Sequence, residues 1–594
     1  MDSCSLPEIL CVLARLVPLL VNYQTPEDLA SPRQLRDGEE YDFIIAGAGP
    51  AGCVLANRLS EMKEWKVLLL ESGGEEPLVS AIPALTPMIW NSRIDWHYYT
   101  QPDPRLCGGK PCFFSTGRGL GGGSLHNNMI YNRGSSLVYD QWGRLGNHGW
   151  GYKDVLPYFK KWENNLDYPI NNDEKFHGVG GPQSVKRFPY IDKNVYPLYE
   201  AFQELGYPSI DINAHFKPGT MILQFFQKNG KRQSSNKAYL KPIRRNRPNL
   251  KIVTNVRVTK VIINPKTKMA EGVEYASENN RNLKGKIFAR KEVIISCGAI
   301  NSPQVLMLSG IGPRSTLEPL GIKVIEDLKV GYNFLNHMLS GGLDFVLSNQ
   351  QSTTESSDQI FADILNYAIN HRGPLSGQGI FHVIGVINSG YTNKSDFPDI
   401  TFNFGPSAGL LNTEASNSLT IPLSYYTRYT PAIINLAPKY VGLISINSSD
   451  PFTLPQIYPW YKSHEDNEIF IRGYKFLVNR LSKTKALKDL NISVDITPKE
   501  LCKNYELFSD KYFNCLAVNY TDFTNHFSGS CKMGPKGDNT AVVSPELKVH
   551  NIKNLRVVDT SVTPTLMSGH TNALALMIGE KGADLIQQDW LSKV

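Results

Sequence analysis

The sequence predicts an α/β fold: a Rossmann-like nucleotide-binding domain with an inserted α+β substrate domain built on an antiparallel sheet. Three observations predict it. An apolar run, Tyr41-Asp-Phe-Ile-Ile-Ala46, feeds Gly47-x-Gly49-x-x-Gly52, and a helix-like segment follows from Ala51 to Glu61. The C-terminal piece has the same grammar, with a strand at Asn554 to Asp559 and an apolar helix at Ala573 to Ile586. Between Ser340 and Thr521 the pattern changes to strand-like segments with polar loops, such as Asp399 to Phe404, Ile433 to Leu436 and Tyr440 to Ile446.

Each piece of the first motif has a physical task. Gly47 permits a tight turn, Gly49 lets the backbone approach a pyrophosphate, and Gly52 allows close packing of helix on strand. The helix N-terminus offers free N–H groups and a positive dipole end to phosphate. A second apolar run, Lys66 to Leu70, ends in Glu71. That carboxylate lies about 20 residues past the last glycine, where an acid binds a ribose hydroxyl. These features point to an adenine dinucleotide without choosing between NAD and FAD.

Further along, Gly73 to Gly123 is rich in Gly and Pro and reads mostly as loop. Gly149 to Trp162 reads as a short helix. Leu250 to Asn264 and Ala270 to Tyr275 read as strands of a small meander. Lys291 to Ser296 is a buried strand leading into Gly298-Ala299, with a helix from about Ser302 to Leu308. The resulting division is 1–37 extension, 38–165, 226–338 and 541–594 nucleotide domain, 166–225 cover segment of the substrate domain, and 339–540 substrate domain.

A net charge of +7 over 594 residues, with no Lys/Arg block, gives nucleic-acid binding no support. No apolar run reaches the roughly 20 residues needed to cross a membrane. Met1 to Asn22 is Leu-rich but carries Arg15 and Asp2; it reads as a poor secretory signal or an amphipathic extension. Sequons at Asn393, Asn447, Asn491 and Asn519 are compatible with secretion, the preferred location, with an intracellular one as the alternative. Of nine cysteines, Cys107 with Cys112 and Cys502 with Cys515 are close in sequence and loop-like, so each pair is a disulfide candidate; all-reduced thiols are the alternative. Neither pair has zinc spacing, and no metal site is expected.

Four further segments carry a family resemblance. Gly117-Arg-Gly-Leu-Gly-Gly-Gly-Ser-Leu-His-Asn-Asn-Met129, Gly298-Ala-Ile-Asn-Ser-Pro303 through Gly312, His526-Phe-Ser-Gly-Ser-Cys-Lys-Met-Gly534, and Val557 to Pro564 with Ser568-Gly-His-Thr-Asn-Ala573 resemble the motifs of the glucose–methanol–choline (GMC) flavoprotein oxidoreductases. Asp154-Val-Leu-Pro-Tyr-Phe159 and Ile578-Gly-Glu-Lys-Gly-Ala-Asp584 are similar to the insect-type branch. The resemblance runs from Tyr41 to Ile586 and implies FAD, not NAD. It places Gly47, Gly49, Ala51, Gly52, Glu71, Arg118, Gly121, Gly122, Ser124, His126, Asn127, Asn128, Met129, Val256, Asp559, Asn572 and Ala573 at the cofactor. Many members carry an aliphatic residue where His126 stands. Those with histidine there join it covalently to the flavin 8α carbon, so His126 is the expected link, against a ring that only packs beside the flavin.

The resemblance also implies the chemistry. Oxidising an alcohol removes the hydroxyl proton while a hydride leaves the carbon for flavin N5, and a base with a near-neutral pKa suits that task. His526 is the expected base, and His570 the expected partner of the substrate oxygen. His337 falls in a family motif that usually has Asp before it; Asn336 breaks the motif, so the segment reads as structural. The expected activity is oxidation of a primary or secondary alcohol, with oxygen, giving hydrogen peroxide, or another electron acceptor completing the cycle. A hydroxynitrile lyase, which keeps FAD without redox turnover, and a non-catalytic flavin-binding protein are the alternatives. Substrate identity and oligomeric state are not legible.

Overall fold

A computed structural model describes residues 8–22, 31–391, 397–407, 421–459 and 464–592. Its first sheet has seven strands. The order is Leu250–Val253, Val67–Leu70, Glu39–Ala46, Lys284–Ile295, Met269–Ser277, Val256–Asn264, with Leu555–Val557 also pairing Lys284–Ile295. The first four and Leu555–Val557 run parallel, and the last two form an antiparallel meander. Parallel strands are covered on both faces, so they carry unbroken apolar runs: Tyr41 to Ala46 and Val67 to Leu70 are buried at every position.

The helix Pro50–Leu59 covers one face, and the long C-terminal helix Thr571–Leu591 packs on it. Their approach needs Gly579, where a Cβ would come within 3.0 Å of the Ala51 Cα. The first and last parts of the chain therefore share one core.

Three readings of the sequence change. Leu250–Val253 is not part of the meander but lies at the parallel edge beside Val67–Leu70. Asn255, at φ +57°, breaks the run before Val256; an extended apolar run does not by itself reveal which sheet it joins. The stretch from Gly73 to Gly123 is built rather than loose. It contains 3-10 turns at Leu78–Ala81, Pro83–Ile89 and Gly122–Leu125, and a small hairpin pairing Tyr98–Tyr99 with Phe113–Phe114. The helix after Ser296 begins at Gly298, earlier than the sequence suggests, because Asp559 caps it: its Oδ2 accepts from the Gly298 N–H at 2.9 Å and the Ser302 hydroxyl at 2.6 Å.

The second sheet has eight strands and is antiparallel. Its path is Ser493–Val494, Phe345–Val346, Arg428–Asn435, Ile400–Pro406, Val383–Ile387, Gly219–Ile222; Met338–Ser340 pairs both Arg428–Asn435 and Thr521–Phe523. Helices Val195–Glu204 and His464–Asn479 lie against it. One face carries Met338, Phe402 and Ile433 into a large core, while Leu339, Ala432, Ile434 and Leu436 form a separate apolar cluster on the other face.

The N-terminal helix Glu8–Asn22 buries Leu10, Val17 and Val21 against Leu85, Ile89 and Ile360. The Arg93 side chain donates to the Val21 carbonyl at 2.8 Å, satisfying an end carbonyl of that helix. Both expected disulfides are formed, Cys107–Cys112 and Cys502–Cys515. Cys11, which the sequence reading left unpaired, is also disulfide-bonded. Asn447 and Asn491 are exposed and Asn519 is half-buried; Asn393 lies outside the described residues. Among the described residues no helix is long and apolar enough to cross a membrane.

Candidate active site

One continuous cavity starts at the Gly47 turn and ends at His526 and His570. At its first end, Gly47 sits at φ +99°, and a Cβ there would lie 2.4 Å from the Ser296 carbonyl oxygen. Gly49 caps the helix Pro50–Leu59, so the N–H groups of Ala51 and Gly52 have no partner within the helix. Gly122, at φ +51°, presses on this turn: its Cβ would be 2.7 Å from the Gly49 Cα. The two glycine segments leave backbone, not side chain, at the cavity wall. The N-termini of helices Gly298–Leu308 and Thr571–Leu591 reach the same cavity through Gly298, Ala299, Thr571 and Asn572. Three helix dipoles thus present positive ends to it.

Glu71 lines the cavity and holds the turn, accepting from the Ala48 and Gly73 N–H groups at 2.8 Å each. Burial raises its carboxyl pKa, and those two bonds oppose the rise. Val256, Asn127, Asn128, Met129 and Asp559 also line the cavity. The remaining expected cofactor residues stand behind the wall. Gly52 packs on the Gly47 carbonyl, Gly121 donates to the Ala48 carbonyl, Ser124 braces Gly121, and Ala573 is buried inside its helix. Arg118 turns aside, pairing with Glu278 at 2.8 Å and lying over the Trp96 ring.

His126 ends the 3-10 turn Gly122–Leu125, with its carbonyl accepting from the Trp90 indole at 2.9 Å. Its ring is buried, and neither nitrogen has a hydrogen-bond partner. The Asp95 carboxylate lies 4.0 Å from Nε2. Burial lowers the His126 pKa; Asp95 pulls it up and Arg232 pushes it down. Arg232 fixes the loop, donating to the Asn127 carbonyl at 2.6 Å and to Asn127 Oδ1 at 3.0 Å.

At the far end the His526 and His570 rings meet edge to face, centroids 4.6 Å apart. His570 caps the helix Thr571–Leu591, and His526 follows the strand Thr521–Phe523. Residues distant in sequence are brought together because strands Met338–Ser340 and Thr521–Phe523 pair. Asn336, just before the first of these strands, accepts from the His526 backbone N–H at 2.8 Å through Oδ1. His337 Nδ1 lies 2.9 Å from His526 Nδ1. Burial pushes the His570 pKa down to about 4. His337 is pushed down to about 3 by burial and by His570. His526 is held well below the usual histidine range by burial and then by His570 and His337. All three imidazoles are neutral at neutral pH.

His337 was read from the sequence as structural, and the structure places it against the expected base. Its signal was the family motif itself, set aside because of Asn336. Asp522 also lines the cavity and has no counterpart in the sequence reading. No local pattern marked it: Asn525, at φ +58°, breaks the alternation between Asp522 and His526.

The cavity suits FAD. Among the described residues, side-chain atoms buried along it have no protein partner: both ring nitrogens of His126, Asn128 Oδ1, His570 Nδ1, and both amide atoms of Asn572. Such atoms cost free energy unless a bound group satisfies them. The glycine walls admit a flat ring system, and the helix N-termini suit phosphate.

Comparison with known proteins agrees. The family model described as GMC oxidoreductase matches residues 41–339, and a second of the same description matches residues 438–579. Glucose dehydrogenase [FAD, quinone] of Drosophila melanogaster is 39% identical over 561 residues, covering 93% of this chain and 88% of that one. Ecdysone oxidase of Bombyx mori is 32% identical, covering 94% of this chain and 83% of that one. A crystal structure of formate oxidase superposes with a TM-score of 0.82 at 25% identity, covering 94% of this chain and all of that one.

Proposed function

This chain belongs to the GMC oxidoreductases, in their insect-type branch, and oxidises alcohol-type donors with FAD; we propose that His526 is the base and His570 the group that holds the substrate oxygen. The observation that carries the assignment is the edge-to-face contact of these two neutral imidazoles at the end of the glycine-walled cavity. FAD, when bound, supplies the acceptor for the hydride that leaves the carbinol carbon. A neutral His526 accepts the hydroxyl proton, which builds negative charge on oxygen and weakens the carbinol C–H bond. His570 donates a hydrogen bond to that oxygen from an N–H fixed at a helix start. The product is an aldehyde or ketone. The named relatives are dehydrogenases and oxidases, which supports redox turnover over the lyase alternative.

His126 is the proposed covalent link to the flavin. Two unpartnered ring nitrogens, and burial that keeps the ring uncharged, give it the free lone pair that such a bond requires. Denaturation in acid followed by filtration tests it: the yellow colour stays with the protein, and full passage of the colour refutes the link.

The disulfides support an oxidising compartment and hence secretion. Either oxygen or another acceptor completes the cycle; the quinone named for the fly relative supports including a dye acceptor in the assay. The deciding experiment is an aerobic screen of primary and secondary alcohols with peroxide detection, repeated with a dye. His526→Ala loses at least about 10²-fold in kcat. Normal turnover by that variant removes His526 as the base.

A further inference from the structure

This inference rests on the alcohol-oxidising reading and concerns what else the substrate carries. The substrate end of the cavity is floored by one face of the antiparallel sheet. Register pairs Asp522 with Leu339, and Leu339 with Ile434. Ala432 lies two residues from Ile434 on the same face and pairs with Asn403. All five line the cavity. The floor is thus apolar across its middle, with a carboxylate at one edge.

Among the described residues nothing occupies that carboxylate fully. Asp522 Oδ1 accepts from the N–H of its own neighbour Phe523 at 2.8 Å, and no basic residue pairs with Asp522 among the described residues. The adjacent strand Met338–Ser340 has no ionisable residue. The packed turn Cys107–Gly109 offers only a disulfide-bonded cysteine. On the neighbouring helix Asp510–Asn519, Asp510 and Lys511 are exposed at its start. Asp522 is half-buried, and its second oxygen is left open for a bound group.

We propose that Asp522 is a specificity determinant: it accepts a hydrogen bond from a second donor, a hydroxyl or an ammonium, on an alcohol whose carbinol is held by His526 and His570 and whose apolar middle lies on Leu339, Ala432 and Ile434. Asp522 and His526 are four positions apart, with Asn525 at φ +58° bending the chain between them, so their Cα atoms lie at most about 14 Å apart. Burial pushes the Asp522 carboxyl up to about 7, with the Phe523 N–H opposing. The preference for a terminal ammonium is therefore present above about pH 7 and fades as pH falls below it.

The test compares, on holoenzyme, straight-chain primary alcohols of about four to ten carbons with the matching α,ω-diols and ω-amino alcohols. The expected result is a kcat/KM about ten- to a hundredfold higher for the doubly functional partner at the best length. That ratio collapses to within about threefold for both partners in Asp522→Leu, and for the amino alcohols in Asp522→Asn, whose amide oxygen still accepts from a hydroxyl and keeps part of the diol preference. Equal kcat/KM for all partners in the wild type, or a preference that survives Asp522→Leu, overturns the proposal while leaving alcohol oxidation intact. A second readout needs no turnover. Tertiary alcohols have no carbinol hydrogen to lose. Those with a terminal amino group should raise the Tm of the wild type more than those without, and the difference should vanish in Asp522→Leu. No difference in the wild type overturns the proposal even if no alcohol is oxidised, and that last outcome alone would refute the functional reading.

Discussion

His337 and His526 meet nitrogen to nitrogen, Nδ1 to Nδ1 at 2.9 Å, with their ring planes at 89°. One of the two nitrogens must carry the proton. If His526 Nδ1 donates, its Nε2 keeps a free lone pair and is ready to accept a proton. If His337 donates, His526 carries its proton on Nε2 and is not a base. The Met567 backbone raises the His337 pKa, the direction expected of a carbonyl beside a ring N–H. A proton on His337 Nε2 leaves its Nδ1 as the acceptor, which sets His526 in the reactive tautomer.

Replacing that acceptor therefore slows the chemistry. His337→Phe keeps a ring but removes the acceptor, and kcat falls about 10- to 100-fold with a smaller change in KM. His337→Asn, which can offer a carbonyl oxygen, recovers part of the loss. Equal rates in the two variants, or full activity in His337→Phe, would show that His337 only packs.

The buried histidines set the pH range of stability. Burial holds His126, His337, His382, His526 and His570 below their ordinary value. The unfolded chain binds protons on them below about pH 6.5 and the folded chain does not, so stability is lost as pH falls from there. His177 runs the other way. Burial alone would depress it, but bonds to Asp211 and Glu163 outweigh that and raise it to about 9. Its contribution is complete below about 6.5 and is lost as pH rises through about 9. Tm should peak between these limits, as followed by flavin fluorescence from about pH 4 to about 10. A flat Tm on the acid side would contradict the neutral histidine cluster.

Gly122 tests the contact between the two glycine segments. Gly122→Ala adds a Cβ that collides with Gly49 and strains a positive φ, at a cost of about 1–3 kcal/mol or more. It should purify with less flavin and a lower Tm. Gly180 has φ +87° with open space around it, so Gly180→Ala bears only the backbone strain and keeps its flavin. Equal flavin content in the two variants would remove the close approach as the reason for glycine.

The disulfides differ in the loops they close. Cys502 and Cys515 are 13 residues apart, Cys107 and Cys112 only 5. Loop entropy gives about 3 kcal/mol for the first and about 2 for the second. Serine variants at Cys502 and Cys515 should melt lower than those at Cys107 and Cys112. The reverse order would mean that the hairpin Tyr98–Phe114, not loop closure, governs their effect.

The parts of the site that read clearly from sequence are those whose chemistry is local. Gly47, Gly49 and Gly52 need only a turn between strand and helix, and His526 and His570 stand inside contiguous motifs. What was not legible depends on strands far apart pairing in one register. Asp522 reaches the cavity, and His337 reaches His526, because Met338–Ser340 pairs with Thr521–Phe523, a long-range contact that no local pattern encodes. Leu250–Val253 was placed in the wrong part of its sheet for the same reason. Arg118 stands in a family motif, yet Glu278 holds its guanidinium away from the cavity.

Anaerobic mixing of the purified yellow protein with an alcohol it oxidises is the most direct test of the central claim. The account predicts loss of oxidised-flavin absorbance in the wild type, and its retention on the same timescale in His526→Ala. A protein that carries no flavin, or a His526→Ala variant that bleaches as fast as the wild type, would contradict it.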